Sequence, residues 1–104
     1  MSLCIIYITA PSLEEAEIIG RHLVSKRLAA CVNIINNMES IYQWEGKVET
    51  ASEVIVIAKT KEALIDEITE SVKSIHSYKC PAIMALPIIG GSDTFLDYIR
   101  SETK

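Results

Sequence analysis

No apolar run in this chain approaches the roughly 20 residues that a membrane span needs, so no transmembrane helix is expected. The opening stretch, Met-Ser-Leu-Cys-Ile-Ile-Tyr-Ile, has neither a basic leader nor a small-residue cleavage site, which argues against a signal peptide. Basic residues are in deficit: 10 Lys and Arg stand against 14 Asp and Glu, a net charge of −4. No basic stripe accompanies the aromatics. Nucleic-acid binding depends on neutralising phosphates, and here the sign is wrong for it. Cysteine is sparse and odd in number, and Cys4, Cys31 and Cys80 share no repeating spacing. A disulfide framework is therefore not expected, and reduced thiols in the cytoplasm are the simpler reading. Internal repeats, linkers and low-complexity segments are also missing. No Ser-His-Asp order or paired-carboxylate motif stands out. Gly90-Gly91-Ser92 lacks the lysine of a phosphate-binding loop and reads as a turn. Without a catalytic constellation, the chain is not expected to be an enzyme.

What is present in quantity is apolar surface. The 104 residues are 49% apolar, with a mean hydropathy of +0.25. One domain over residues 1–104 can build a core, but a modest one, and the surplus points to a buried subunit interface. Residues 3–9 form an apolar run of strand length that Pro11 closes. Ser12-Leu-Glu-Glu15 is a capping-box pattern and predicts a helix over 12–27, with Ala16, Ile19 and Leu23 on its apolar side. A long strand follows over 31–45, interrupted by the polar pair Asn36-Asn37, which predicts a bulge or bend. The chain reverses at Glu45-Gly46, where glycine can take the positive φ of a tight hairpin. Residues 53–58 are apolar on both faces, so this strand is placed centrally, with Val56 and Ile57 both expected to be buried. Leu64, Ile65, Ile68, Val72 and Ile75 mark a second helix. A strand over 82–89 carries Pro87, which belongs at a sheet edge, and a short helix with Phe95, Leu96 and Ile99 ends the chain.

This order predicts an α+β, ferredoxin-like βαββαβ sandwich with an extra C-terminal helix. Right-handed crossovers put the first and third strands in the middle and the second and fourth at the edges. The second strand is then an overlong apolar edge, which proteins rarely leave bare, so another subunit is expected to cover it.

Several blocks together carry a family resemblance: Thr9-Ala-Pro11, Leu28-Ala-Ala-Cys-Val-Asn-Ile34, Ser40-Ile-Tyr-Gln-Trp-Glu-Gly-Lys-Val-Glu49, Lys59-Thr60, His76, Tyr78, Pro81 and Ala85-Leu-Pro87. They cover nearly the whole chain, and the chain resembles the CutA family, the divalent-cation tolerance proteins. The resemblance implies a cytoplasmic homotrimer of PII-like architecture, linked to tolerance of copper and other divalent cations. It also implies clefts between protomers where neighbouring edge strands meet. Some members carry a cysteine before the Thr-Ala-Pro motif and a histidine pair before the tyrosine loop. Here those positions read Ile8 and Ile75-His76, with Ser77, Lys79 and Ala82 as further departures. His76 is thus the remaining imidazole that could hold Cu²⁺ or another divalent cation, with weak affinity expected.

His76 and Cys80 are both residue types that suit copper or zinc, but Pro81 disfavours a helix that would align them. The other reading of His76 is a hydrogen-bonded histidine at the end of the second helix. Cys31 reads as a small hydrophobe at a strand start, with no basic neighbour in sequence to activate it. Tyr42 and Trp44 stand two apart and share a strand face. Together with Cys31, Lys59 and Tyr78 they are placed at an inter-subunit interface or cleft. Lys47 and Lys59 could neutralise a small anionic ligand there. The leading expectation is a non-enzymatic, cation-responsive regulatory trimer; the alternative is a PII-like small-molecule sensor with its ligand in the inter-subunit clefts.

Overall fold

The computed structural model of the chain describes residues 2–104. Its elements are β1 (Leu3–Ala10), α1 (Leu13–Ser25), β2 (Cys31–Trp44), β3 (Lys47–Lys61), α2 (Ile65–Ile75), β4 (Ile83–Ile88) and α3 (Asp93–Glu102). A single 3-10 turn at Glu62–Leu64 leads into α2. The four strands make one antiparallel sheet in the order β2-β3-β1-β4. This is the ferredoxin-like arrangement the sequence predicts, with β1 and β3 central and the proline-bearing β4 at an edge.

Helix α1 starts where expected. Ser12 is extended at φ −150°, and its hydroxyl accepts the Glu15 backbone N–H at 3.2 Å. The helix stops earlier than the predicted Arg27 because Arg27 is left-handed, at φ 59°. The Arg27 N–H bonds to the Val24 carbonyl at 3.0 Å and the Leu28 N–H to the Leu23 carbonyl at 2.9 Å, the pairing of a Schellman turn. A left-handed arginine costs on the order of 1–2 kcal/mol against glycine. Its guanidinium is held by the Ser101 carbonyl at 2.9 Å, which ties this turn to the end of α3.

Strand alternation decides which side chains are buried. Cys4, Ile6, Ile8 and Ala10 of β1 and Val54, Val56 and Ala58 of β3 point to one face, where Ala16, Ile19 and Leu23 of α1 and Ile68 and Val72 of α2 close over them. The opposite face is covered only at one end, where Leu96 and Ile99 of α3 pack on Leu3 and Ile88. Val56 is fully buried as expected, whereas Ile57 is only half-buried. The correction has a simple cause: β3 is central in its sheet, but helices α1 and α2 lie on one side of that sheet only. Ile5, Tyr7, Ile55 and Ile57, with Met84 and Leu86 of β4, form an open and largely apolar face.

The Asn36-Asn37 interruption is a β-bulge. Register shifts between Ile35 and Met38, and Asn37 takes φ 62°. Before the bulge, Cys31, Asn33 and Ile35 oppose Lys59, Ile57 and Ile55 on the open face; after it, Met38, Ser40, Tyr42 and Trp44 oppose Glu53, Ala51, Glu49 and Lys47 on that same face. The extra residue therefore switches β2 from odd to even positions on the open face. Glu45 and Gly46 close the hairpin with φ of 49° and 80°, the two positive values of a type I′ turn. The hairpin projects as an arm, and the molecule measures 44 Å along its length against 24 and 23 Å across.

Candidate functional site

Where the arm leaves the sheet, the open face deepens into a cleft of about 710 Å³. Tyr42 and Trp44 of β2 wall one side, Tyr7 and Thr9 of β1 and Glu53 of β3 form the floor, and Tyr78 to Cys80 with Met84 form the other side. Local chemistry aims each of these groups. The bulge brings Tyr42 and Trp44 onto the open face. Odd-numbered alternation along β3 brings Glu53 to the same face as Ile55 and Ile57.

The segment from His76 to Cys80 is held by groups distant in sequence. Glu15, whose backbone N–H serves the α1 cap, does not complete the capping box with its carboxylate. Its Oε2 instead accepts the Ser77 N–H at 3.0 Å and the Ser77 hydroxyl at 3.1 Å, 62 residues away in both cases. The His76 ring bonds through Nε2 to the Thr9 carbonyl at 2.7 Å, and since a carbonyl only accepts, Nε2 carries the proton. Its Nδ1 accepts the Tyr78 N–H at 3.0 Å and lies 3.3 Å from the Glu15 carboxylate. The Tyr78 ring packs at 4.9 Å from the imidazole, and its hydroxyl donates to Glu53 Oε2 at 2.8 Å.

Burial first, and the hydrogen bond to the Glu53 carboxylate second, push the Tyr78 phenol well above its ordinary pKa of 10.0. The folded protein thus holds this proton more tightly than the unfolded chain. Stability from it is complete below pH about 10, and is lost as pH rises above the unfolded value. We expect the denaturation midpoint of the wild type to fall more steeply than that of Tyr78→Phe between about pH 9 and 11. Parallel curves for the two proteins would show that the phenol is not held in this way.

The predicted site residues divide into three groups. Tyr42, Trp44 and Tyr78 are brought together as cleft walls. Cys31 and Lys59 share the open face and stand directly opposite each other in the β2–β3 register, but lie outside the cleft lining. The sequence shows no basic neighbour for Cys31; the sheet provides one. His76 is buried behind the loop with both ring nitrogens engaged, while Cys80 is exposed at the cleft, so the pair is not arranged as a joint ligand set. Cys4 is in the core, where burial raises its thiol pKa. Sequence reasoning missed Glu53, Tyr7 and the Glu15 clamp. A faint signal for Glu53 exists: it is a carboxylate heading an otherwise apolar run, in phase with the half-buried Ile55 and Ile57.

Among the described residues, no helix is long and apolar enough to cross a membrane. Nor do those residues contain a cluster of three or more His, Cys, Asp or Glu side chains placed to hold a metal ion.

Comparison with known proteins agrees with the fold at every level. A family model described as CutA1 divalent ion tolerance protein matches residues 4–102. The divalent-cation tolerance protein CutA of Archaeoglobus fulgidus is 52% identical over 94 residues, covering 90% of this chain and 91% of that protein. The chloroplastic CutA protein of Arabidopsis thaliana is 42% identical over 100 residues, which are 96% of this chain. The chain spans about half the length of that plant relative, 55%. The crystal structure of CutA1 from Oryza sativa superposes with a TM-score of 0.97 at 41% identity, covering 100% of this chain and 95% of that one. That of the divalent cation tolerance protein from Thermus thermophilus gives 0.96 at 41% identity, over 98% and 99%. With a family model matched over residues 4–102, a relative at 52% identity and near-complete superposition on solved structures, the chain belongs to the CutA1 divalent ion tolerance family.

Proposed function

We propose that this chain is a non-enzymatic protein of divalent-cation tolerance that works as a homotrimer, its subunits meeting across the open sheet face. The observation that carries this reading is the unburied apolar surface beside two unpaired strand edges. Tyr42, Trp44, Met84 and Leu86 are all more than 40% exposed, and among the described residues β2 and β4 each have one edge free of pairing. Such an edge invites another chain. The names of the relatives support the tolerance role. They support no single compartment: one relative is called chloroplastic and the Archaeoglobus fulgidus structure is described as periplasmic, so a cytoplasmic setting is part of the proposal. The cleft supports the non-enzymatic reading, because the Tyr78 phenol is held protonated rather than activated, and the Ser40 hydroxyl is turned to the Met38 sulfur at 3.2 Å.

A resident copper or other divalent ion does not fit the donors of one chain. His76 would have to give up both the Thr9 carbonyl and the Tyr78 amide before its ring could face a metal with Glu15, and among the described residues no third His, Cys, Asp or Glu stands beside them. His76 therefore serves as a strut between β1 and the loop. We expect His76→Ala to lower the thermal midpoint while leaving calorimetric uptake of Cu²⁺ or Zn²⁺ as weak as in the wild type, and chelator to alter neither stability nor assembly. A loss of metal uptake in His76→Ala would return the residue to the role of ligand. Native mass spectrometry of the wild type with and without divalent cations tests the trimer itself.

The cleft favours a second reading, a small-molecule sensor, since its volume lies within the range of ligand sites, about 300–1,000 Å³.

A further inference from the structure

We infer that Ile89 of each subunit is the knob of an interlocking contact between copies of this chain, seated in the groove between α1 and β2 of the next subunit. The inference rests on the proposed homotrimer and adds to it a contact on the helix side of the sheet, away from the open face.

The first observation is a side chain with nothing over it. Ile89 follows the last residue of β4 and is 99% exposed, the highest value for any large apolar side chain described. Gly90 and Gly91 come next, so the adjoining chain offers no side chain for it to pack on. A lone apolar residue is ordinary on a protein surface. What distinguishes Ile89 is its place at the end of an unpaired strand edge.

The second observation is a groove of matching character. Gly20 and Val24 of α1 and Val32 and Ile34 of β2 form the apolar part of a groove of about 460 Å³, to which Glu17 and Arg21 add charge. Only α1 and β2 line it, and β2 is an outer strand, so it opens at that edge of the sheet. A Cβ on Gly20 would stand 3.0 Å from Val32 Cγ2. The bare glycine therefore lets the helix close on the strand, and Val32 and Ile34 make the floor.

Topology brings knob and groove together. A closed three-fold ring uses two different surfaces of each subunit, one for each neighbour. The free edges of β2 and β4, on opposite sides of the sheet, are such a pair. Three antiparallel steps separate these strands, so β4 runs opposite to β2. In a ring whose axis follows the strands, β4 meets β2 of the partner subunit antiparallel, as elsewhere in the sheet. Levels agree as well. Cys31 is opposite Lys59, Lys59 opposite Ile5 and Ile5 opposite Leu86, so β2 begins where β4 ends. Helix α1 finishes at Ser25, at that same end. Ile83 packs into the helix-side core and Ile88 against α3 on the other face. Alternation carried one residue further puts Ile89 on the helix side, level with Val24 of the partner subunit.

Ile89→Asn tests the knob; asparagine is neutral, so neither Glu17 nor Arg21 can compensate it with a charge pair. Native mass spectrometry over a dilution series is expected to show the trimer dissociating at a concentration at least about tenfold higher than wild type. Ile89→Leu should stay within about twofold. The seat is tested by Ile89→Cys combined with Val24→Cys in a Cys31→Ser, Cys80→Ser background, treated with a short bis-maleimide. The two positions lie on opposite sides of one sheet, so a bridge between them joins two subunits. Covalent dimers and trimers are expected from the double variant and from neither single one. A trimeric wild type lacking either result overturns the seating of Ile89 and spares the trimer. A wild type that is monomeric at micromolar concentration overturns both. The Ile89→Asn comparison keeps the native cysteines, so it decides even where the cysteine background assembles poorly.

Discussion

Ile8→Ala is expected to destabilise the protein by about 2–5 kcal/mol, the range for truncating a fully buried isoleucine. Ile8 has no exposed surface. It lies on the central strand β1 between Val56 of β3 and Ile83 of β4, in the cluster shared with Ile19 of α1 and Val72 of α2. Every neighbour is fixed by sheet pairing or helix packing, so the cavity has little freedom to collapse. Ile41→Ala removes the same atoms from a residue 68% exposed on the arm, and is expected to shift stability by no more than about 0.5 kcal/mol in a single subunit. Guanidinium unfolding of both variants, at several protein concentrations to separate subunit stability from assembly, gives the comparison. Equal midpoints for Ile8→Ala and the wild type would show that β1 does not lie at the centre of the core.

Trp44→Glu is expected to convert the proposed trimer to monomer at micromolar concentration. Trp44 sits at the end of β2, on the same face as Tyr42 and the open apolar sheet. If that face meets another subunit, the new carboxylate is desolvated, and the exposed Lys47 opposite it in the β2–β3 register offsets only part of that cost. Such a charge costs several kcal/mol, repeated at each of the three interfaces. Gln43→Glu, one residue away but on the opposite face of the arm beside Val48, adds the same charge and should leave the assembly intact. Light scattering decides between them. A wild-type protein that is monomeric at that concentration overturns the proposed assembly, and dissociation by both variants would assign the effect to net charge rather than to the face.

The elements themselves were largely legible because their signals are local. Ser12 caps α1, Asn36-Asn37 makes a bulge, Glu45-Gly46 makes a hairpin turn, and Pro87 stands on an edge strand, each for reasons contained within a few residues. Helix α1 ends before the Arg27 that its periodicity predicts, because Arg27 is left-handed without the glycine that usually marks such a stop. The site was less legible. Tyr42 and Trp44 share a face by strand period alone, but nothing in their spacing says which face, since that depends on the bulge adding one residue rather than two. Ile57 shows the same limit: its run is apolar on both sides, and only the one-sided placement of α1 and α2 leaves it half-buried.

By itself, then, the sequence determined the order of strands and helices and their central and edge positions, because periodicity, caps and turns act between near neighbours in the chain, while its motif blocks carried the family resemblance. Tertiary structure decided the chemistry of the cleft. The Glu15 carboxylate left its own cap for Ser77, the His76 ring was spent on Thr9, 67 residues away, and Glu53 came to face Tyr78 across 25 residues. Contacts of that separation depend on how the sheet is registered and which face the helices cover. No local pattern encodes them, because the groups meet only after the core has fixed the strands against one another.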